Sequence, residues 1–142
     1  MKNKDIKPIP QGTYLPAVRH ANVIYTSGMT PRKAGTLIYE GKILASKPLS
    51  IYKEAVRLAT LNALVAAEGC LKGDEKISLI LQLNVFINAD QEFTAHAKIG
   101  DYASELLIER LGNSCIGTRA AIGVATLPSN APIEITLVGK VI

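Results

Sequence analysis

The centre of the chain constrains its architecture more tightly than either end. From Ile77 every second residue is apolar: Ile77, Leu79, Leu81, Leu83, Val85 and Ile87 fall on one side, and Ser78, Ile80, Gln82, Asn84, Phe86 and Asn88 on the other. A period of two predicts a long β-strand with one buried face and one mixed face. Helical spacing flanks it. Ile51, Ala55, Leu58, Ala59, Val65 and Ala66 recur at helical intervals over 50–71, with Ser50 as N-cap and Gly73 beyond the end. A second helix is predicted over 91–111, closed by Gly112 and Asn113.

The remaining elements are short. Residues 1–12, with Pro8, Pro10 and Gly12, read as a loose lead-in. Residues 14–20 and 22–27 read as strands; the second is rich in β-branched and aromatic residues and is ended by Gly28 and Pro31. A further short strand is predicted at 37–39. The last quarter reads as two apolar strands joined by a turn at Pro128, Ser129 and Asn130, a terminal hairpin. The order ββ(β)–α–β–α–ββ predicts an α+β fold, one sheet with two helices on one face. The other face, assigned Ile80, Phe86, Ala121, Gly123, Ala125 and Leu127, is too apolar for open water, so a second copy of the chain is expected to cover it.

At 142 residues the chain suits a single domain spanning 1–142, and 48% apolar with 20% charged residues is a globular composition. No apolar run approaches the roughly 20 residues of a membrane span. The lysines at the N-terminus are followed by no apolar segment, which argues against a secretory signal. Cys70 and Cys115 do not form a disulfide framework, so a reducing, cytoplasmic setting is expected. The net charge of +4 is scattered and aromatics are 5%, which argues against a nucleic-acid surface. His20 and His96 are isolated, with no ligand spacing around them, so no metal site is predicted. Cys70 reads as a buried structural thiol, and Cys115 as a loop thiol with no histidine to activate it.

Two charges stand out in the apolar last quarter. Arg119 offers a planar fork suited to a carboxylate, with the alternative of a structural salt bridge at a sheet edge. Glu134, on a partly buried strand face, could act as a general acid or base, with the alternative of a solvated outward side chain. In a hairpin Glu134 would sit opposite Ala125 and Arg119 on the order of 20 Å further along, so the two would serve separate sites or meet across a subunit boundary. Tyr14, Ser27 and Gly28 form a third candidate group, a hydroxyl beside a glycine where backbone can approach a ligand.

These residues carry a resemblance. Gly12-Thr13-Tyr14, Tyr25-Thr26-Ser27-Gly28, Asn62, Val85-Phe86-Ile87-Asn88, Thr118-Arg119, and the run from Leu127 through Pro128 and Ser129 to Glu134-Ile135 resemble the reactive intermediate deaminase (RidA, YjgF) family, also labelled endoribonuclease L-PSP or translation inhibitor. The resemblance implies a chorismate-mutase-like fold. It also implies a homotrimer with sheets inward and a cleft between subunits, where enamines and imines such as 2-aminoacrylate are hydrolysed to a 2-keto acid and ammonia without a cofactor. It implies that Arg119 holds the substrate carboxylate, that Glu134 positions water, and that Tyr14, Ser27, Gly28 and Gly117 line the cleft. Three positions depart from the family pattern: Ala121 replaces a cysteine, Gly117-Thr118 replaces Pro-Ala, and Asp101 is the counterpart of an asparagine that contacts substrate. A carboxylate at Asp101 would repel a substrate carboxylate. A keto-acid-binding trimer without catalysis is the second reading; RNA cleavage ranks last.

Overall fold

The computed structural model describes residues 7–142. A five-stranded mixed sheet carries two helices on one face. Its strands are β1 (Ala17–His20), β2 (Val23–Thr26), β5 (Ile77–Asn88), β6 (Thr118–Val124) and β7 (Ile133–Val141), in the order β1-β2-β7-β5-β6. A two-stranded ladder, β3 (Arg32–Lys33) with β4 (Thr36–Leu37), stands apart. The helices are α1 (Lys53–Glu68) and α2 (His96–Leu111).

The predicted terminal hairpin does not form. β6 and β7 lie on opposite sides of β5: β6 pairs with it parallel, from Gln82↔Thr118 to Asn88↔Val124, and β7 antiparallel. β5 and β6 are joined through α2, as a parallel pair requires. Residues 125–132 are too long a connection for a tight hairpin, and they instead cross the end of β5. Lys42 and Asn88 hold that crossing, Lys42 Nζ donating to Ala125 O (2.6 Å) and Asn88 Nδ2 to Ala131 O (3.0 Å).

Strand alternation holds only in the second half of β5. Leu83, Val85 and Ile87 face the helices and are buried, but register shifts between Ile77 and Leu79 and between Ile80 and Gln82 put Ile80 in the core and leave Leu81 exposed. The expected outer face changes accordingly. Ile80 is buried, and Ala121 packs beside Gly100 of α2. The face away from the helices carries Val18, Tyr25, Asn84, Phe86, Ile122, Thr136 and Val138 by their registers. Val18, Tyr25 and Ile122 are each nearly half exposed.

The core lies between sheet and helices. The inner side of α1 is Val56, Ala59, Ala63, Leu64 and Ala67, mostly small residues that let the helix lie close to β7. Ile133, Ile135 and Leu137 of β7 are buried beneath it, each contributing about 1.5–3 kcal/mol. Ser50 does not cap α1: it lies in a 3-10 turn over Leu49–Tyr52 with no side-chain cap. α2 begins at His96, five residues later than its pattern suggests, and Gly112 ends it at φ 91°. β1 is tied down by Arg19, which donates to both oxygens of Glu75 at 2.6 and 3.0 Å and holds that carboxyl at about 2. Among the described residues no helix is long and apolar enough to cross a membrane.

Candidate active site

The predicted site residues separate into two groups on opposite faces of the sheet. Tyr14, Ser27, Gly28 and Glu134 line one cavity of about 560 Å3. Arg119, Asp101 and Gly117 lie at the β6 edge, beside α2.

The cavity is built where β2 ends. Past Thr26 the chain continues alongside β7, pinned by a reciprocal pair of bonds between the backbones of Met29 and Ile135, both 2.8 Å. That brings Gly28 against the Glu134 side chain: a Cβ on Gly28 would lie 2.6 Å from Glu134 Oε1. The absence of a side chain at Gly28 is what lets the carboxylate lie this close. Ser27 Oγ donates to Leu15 O (2.6 Å) and the Gln11 N–H donates to Tyr14 Oη (3.0 Å), so both hydroxyls are already engaged with the lead-in loop. Glu134 pairs with Phe86 across β7 and β5, on the face away from the helices. It is half-buried, desolvation pushes its carboxyl above the ordinary range, and no protein group among the described residues hydrogen-bonds it. A carboxyl raised in this way keeps its proton to a higher pH than an ordinary one, which suits it to proton transfer.

Sequence reasoning missed several parts of this cavity. Arg32, Met29, Ser129 and Lys7 line it, and Asn62, buried on α1, holds its floor by donating to Thr30 O (3.0 Å) and Arg32 O (2.9 Å). Asn62 fell within a segment that carried the resemblance, but nothing local marked its role. A basic residue directly after Pro31, four positions beyond Gly28, was the available signal for Arg32.

Arg119 is on the helix side, opposite Leu83. Its Nη1 donates to Asp101 Oδ1 (2.9 Å) and Ser104 Oγ (3.0 Å), and its Nη2 to Ala97 O (3.1 Å). This is the structural salt bridge weighed above, with Asp101 as partner. Gly100 leaves room for it, since a Cβ there would sit 2.9 Å from Arg119 Cζ. Counting along β5 from Leu83 to Phe86 and across two strand spacings, the Arg119 and Glu134 backbones are about 14 Å apart. Within one chain they cannot act together.

Gly117 belongs to this second region. It lines a hollow of about 150 Å3 with Arg119 and Ser104, and a Cβ there would overlap the carbonyl oxygen of Ile80, so backbone packing demands glycine. Cys115 is fully buried and its thiol is pushed up by desolvation, so it is a core residue rather than a loop thiol. Cys70 is half-buried at the edge of the core, less enclosed than expected. His96 stacks edge-on against Phe93 and packs over Gly123.

Residues 8–140 match the family described as "YjgF/chorismate mutase-like, putative endoribonuclease". The chain is 31% identical over 131 residues to a 2-iminobutanoate/2-iminopropanoate deaminase of Dermatophagoides farinae, covering 92% of this chain and 87% of that one. It is 27% identical over 128 residues to Protein TCP17 of Trypanosoma cruzi, covering 89% and 79%. Among solved structures it resembles Atu1372 of Agrobacterium tumefaciens, a protein of unknown function, with a TM-score of 0.84 and 30% identity over 94% of this chain and 86% of that one. With the two-helix mixed sheet and the matched span in agreement, the chain belongs to the YjgF/RidA family.

Proposed function

We propose that this protein hydrolyses imines and enamines of small amino acids to 2-keto acids and ammonia, in clefts between the subunits of a homotrimer. The observation that carries the reading is Glu134, a half-buried carboxyl with no hydrogen-bond partner among the described residues, at the wall of an open cavity. The relative named as an imine deaminase supports the same chemistry.

The reaction needs a positioned water and a group that moves a proton. Water attacks the imine carbon, the C=N π pair passes to nitrogen, and Glu134 accepts the proton that the water loses. Glu134 then returns it to nitrogen. In the neutral carbinolamine so formed, Glu134 takes the hydroxyl proton and passes it to nitrogen, so that the oxygen's electron pair closes C=O as the C–N bond breaks and ammonia departs. Desolvation raises the Glu134 carboxyl above the ordinary range, which makes it a stronger base when ionised and lets it hold the proton it must return. Tyr14, Ser27 and Gly28 shape the cavity around the reacting carbon.

Arg119 is the proposed carboxylate anchor, supplied by the neighbouring subunit. Two features support this. Arg119 and Glu134 lie on opposite faces within one chain, and Val18, Tyr25 and Ile122 leave the sheet's outer face apolar enough to seat another copy. Arg119 Nε and one Nη2 hydrogen make no bond among the described residues, so a substrate carboxylate has donors to meet.

The test is to generate imines from amino acids with an amino-acid oxidase and to trap the remainder with semicarbazide. The protein is expected to lower the semicarbazone yield. Arg119→Ala and Glu134→Gln are each expected to be inactive alone. Unfolded together and refolded as a mixture, they are expected to regain about a quarter of wild-type activity, because a quarter of interfaces then combine an intact arginine with an intact glutamate. No regain in mixed oligomers would rule out a shared cleft, and an unchanged semicarbazone yield would rule out the activity.

A further inference from the structure

We infer that the Glu134 cavity contains its own anion site at Arg32, and that the imino acids it takes carry a second, distal carboxylate. The inference rests on the proposed imine hydrolysis and adds the substrate class. Among the described residues, the charged side chains lining the cavity are Lys7, Arg32 and Glu134, two cations and one carboxylate. At about 560 Å3 the cavity is in the range that holds drug-sized ligands, and an imine of alanine or 2-aminobutyrate would fill little of it.

Arg32 is held as a binding group is held. Its Nη1 donates to Gly35 O (2.9 Å) and its Nη2 to Ser129 Oγ (3.0 Å), both partners lining the same cavity. Those bonds fix the plane of the guanidinium and use two of its five N–H groups, leaving three to donate. No carboxylate among the described residues pairs with it. Arg119, in contrast, is met by Asp101. A fixed guanidinium without a counter-ion presents the fork that a carboxylate fits.

The backbone on both sides of Arg32 is unusual in the same place. Ala34 and Gly35 have φ of 51° and 83°, and Ser129 and Asn130 have φ of 55° and 57°. Three of these four are not glycine, and left-handed backbone at such residues persists only where the surroundings impose it. The two strained turns supply the two acceptors that orient Arg32. The Arg32 backbone is held as well, because Asn62 Nδ2 donates to its carbonyl oxygen (2.9 Å). Amino acids with an acidic side chain yield imines that have a carboxylate at each end. One end is then available for Arg119 of the neighbour and the other for Arg32.

The test compares two substrates on one sample. Imines of glutamate and aspartate, made by an oxidase, are assayed against the imine of alanine, and the ratio of their kcat/KM values is taken. The wild type is expected to favour the dicarboxylates, and Arg32→Gln to lower that ratio by tenfold or more, chiefly through KM, with Arg32→Lys recovering part of it. Because both substrates are measured on the same protein, loss of folded material does not change the ratio. A ratio near one in the wild type, or one unmoved in Arg32→Gln, overturns the inference while leaving imine hydrolysis standing. If no imine is hydrolysed, calorimetry still decides the question. 2-Oxoglutarate is expected to bind at least tenfold more tightly than 2-oxobutyrate in the wild type, and equal affinities would overturn it.

Discussion

The two groups of candidate residues differ in how they are built. The Glu134 cavity is made at the ends of elements, from the segment after β2, the β3–β4 turn and the crossing before β7, with left-handed residues at Ala34, Ser129 and Asn130. The Arg119 edge is made from regular structure, a strand against a helix, and its charge is closed by an ion pair within the chain. One region leaves Arg32 and Glu134 without an ion-pair partner among the described residues, and the other pairs its arginine with a carboxylate. Unpartnered groups in a cavity cost stability and persist where a ligand uses them. This difference supports the proposal that Glu134 carries the proton chemistry and that Arg119, paired with Asp101, holds the substrate carboxylate.

The largest effect is expected from Glu134→Gln. It is expected to lower kcat by about 10²–10⁴-fold, the usual worth of a general acid–base group. At neutral pH the variant is also expected to melt at a higher temperature than the wild type, because ionised Glu134 is desolvated in the fold. The sign follows from the raised folded-state pKa. The fold is penalised above that pKa, and the penalty is lost as pH falls through it toward the ordinary carboxylate value. Melting curves of the two proteins should therefore converge in acid. A Glu134→Gln variant less stable at every pH would mean that the carboxylate has a structural partner.

Two glycines allow a matched comparison of smaller size. Gly28→Ala places a methyl against the Glu134 carboxylate, and Gly100→Ala places one against the Arg119 guanidinium. Both neighbours are ends of flexible side chains, so each can move with little loss of fold. Gly28→Ala is expected to lower kcat by about tenfold, since displacement by an ångström misaligns a proton-transfer group. Gly100→Ala is expected to act mainly on KM, by a few-fold. Steady-state kinetics on both variants reads the split, and a reversed assignment would exchange the roles of the two regions.

The smallest expected effect is at Asp101. Asp101→Asn keeps a hydrogen-bond acceptor for Arg119 and removes the charge that competes with a substrate carboxylate. Because the Asp101 side chain is 60% exposed, the pair is worth little by itself, on the order of 1 kcal/mol or less, so KM is expected to fall by only a few-fold. A rise in KM would show that Asp101 positions the arginine rather than screening it.

What the sequence made legible was the part governed by periodicity. The helices α1 and α2, the long strand β5 and the α+β order follow from runs of apolar residues whose spacing survives into the helices and into the second half of β5. The partners of β6 and β7 were not legible, because both are apolar strands near each other in sequence, and only the length of residues 125–132 argues against a hairpin. The bulges in β5 were likewise hidden: Leu79 and Leu81 keep the alternation in sequence while the register shifts beneath them. Tyr14, Ser27, Gly28 and Glu134 were named from sequence and meet in one cavity. Arg32 escaped because its significance comes from Gly35 and Ser129, and the latter is 97 residues away.

The position of β7 has a consequence for how the molecule is made. It lies between β2 and β5, in the middle of the sheet, yet it is the last strand in chain order. During synthesis β1, β2 and both helices emerge before the strand that joins the two halves of the sheet. Until then Ile24 and the inner sides of α1 and β5 have no common layer to bury against. Folding of this domain is therefore completed only when residues 133–141 have left the ribosome, and a nascent chain stalled short of them presents apolar surface for chaperones to hold.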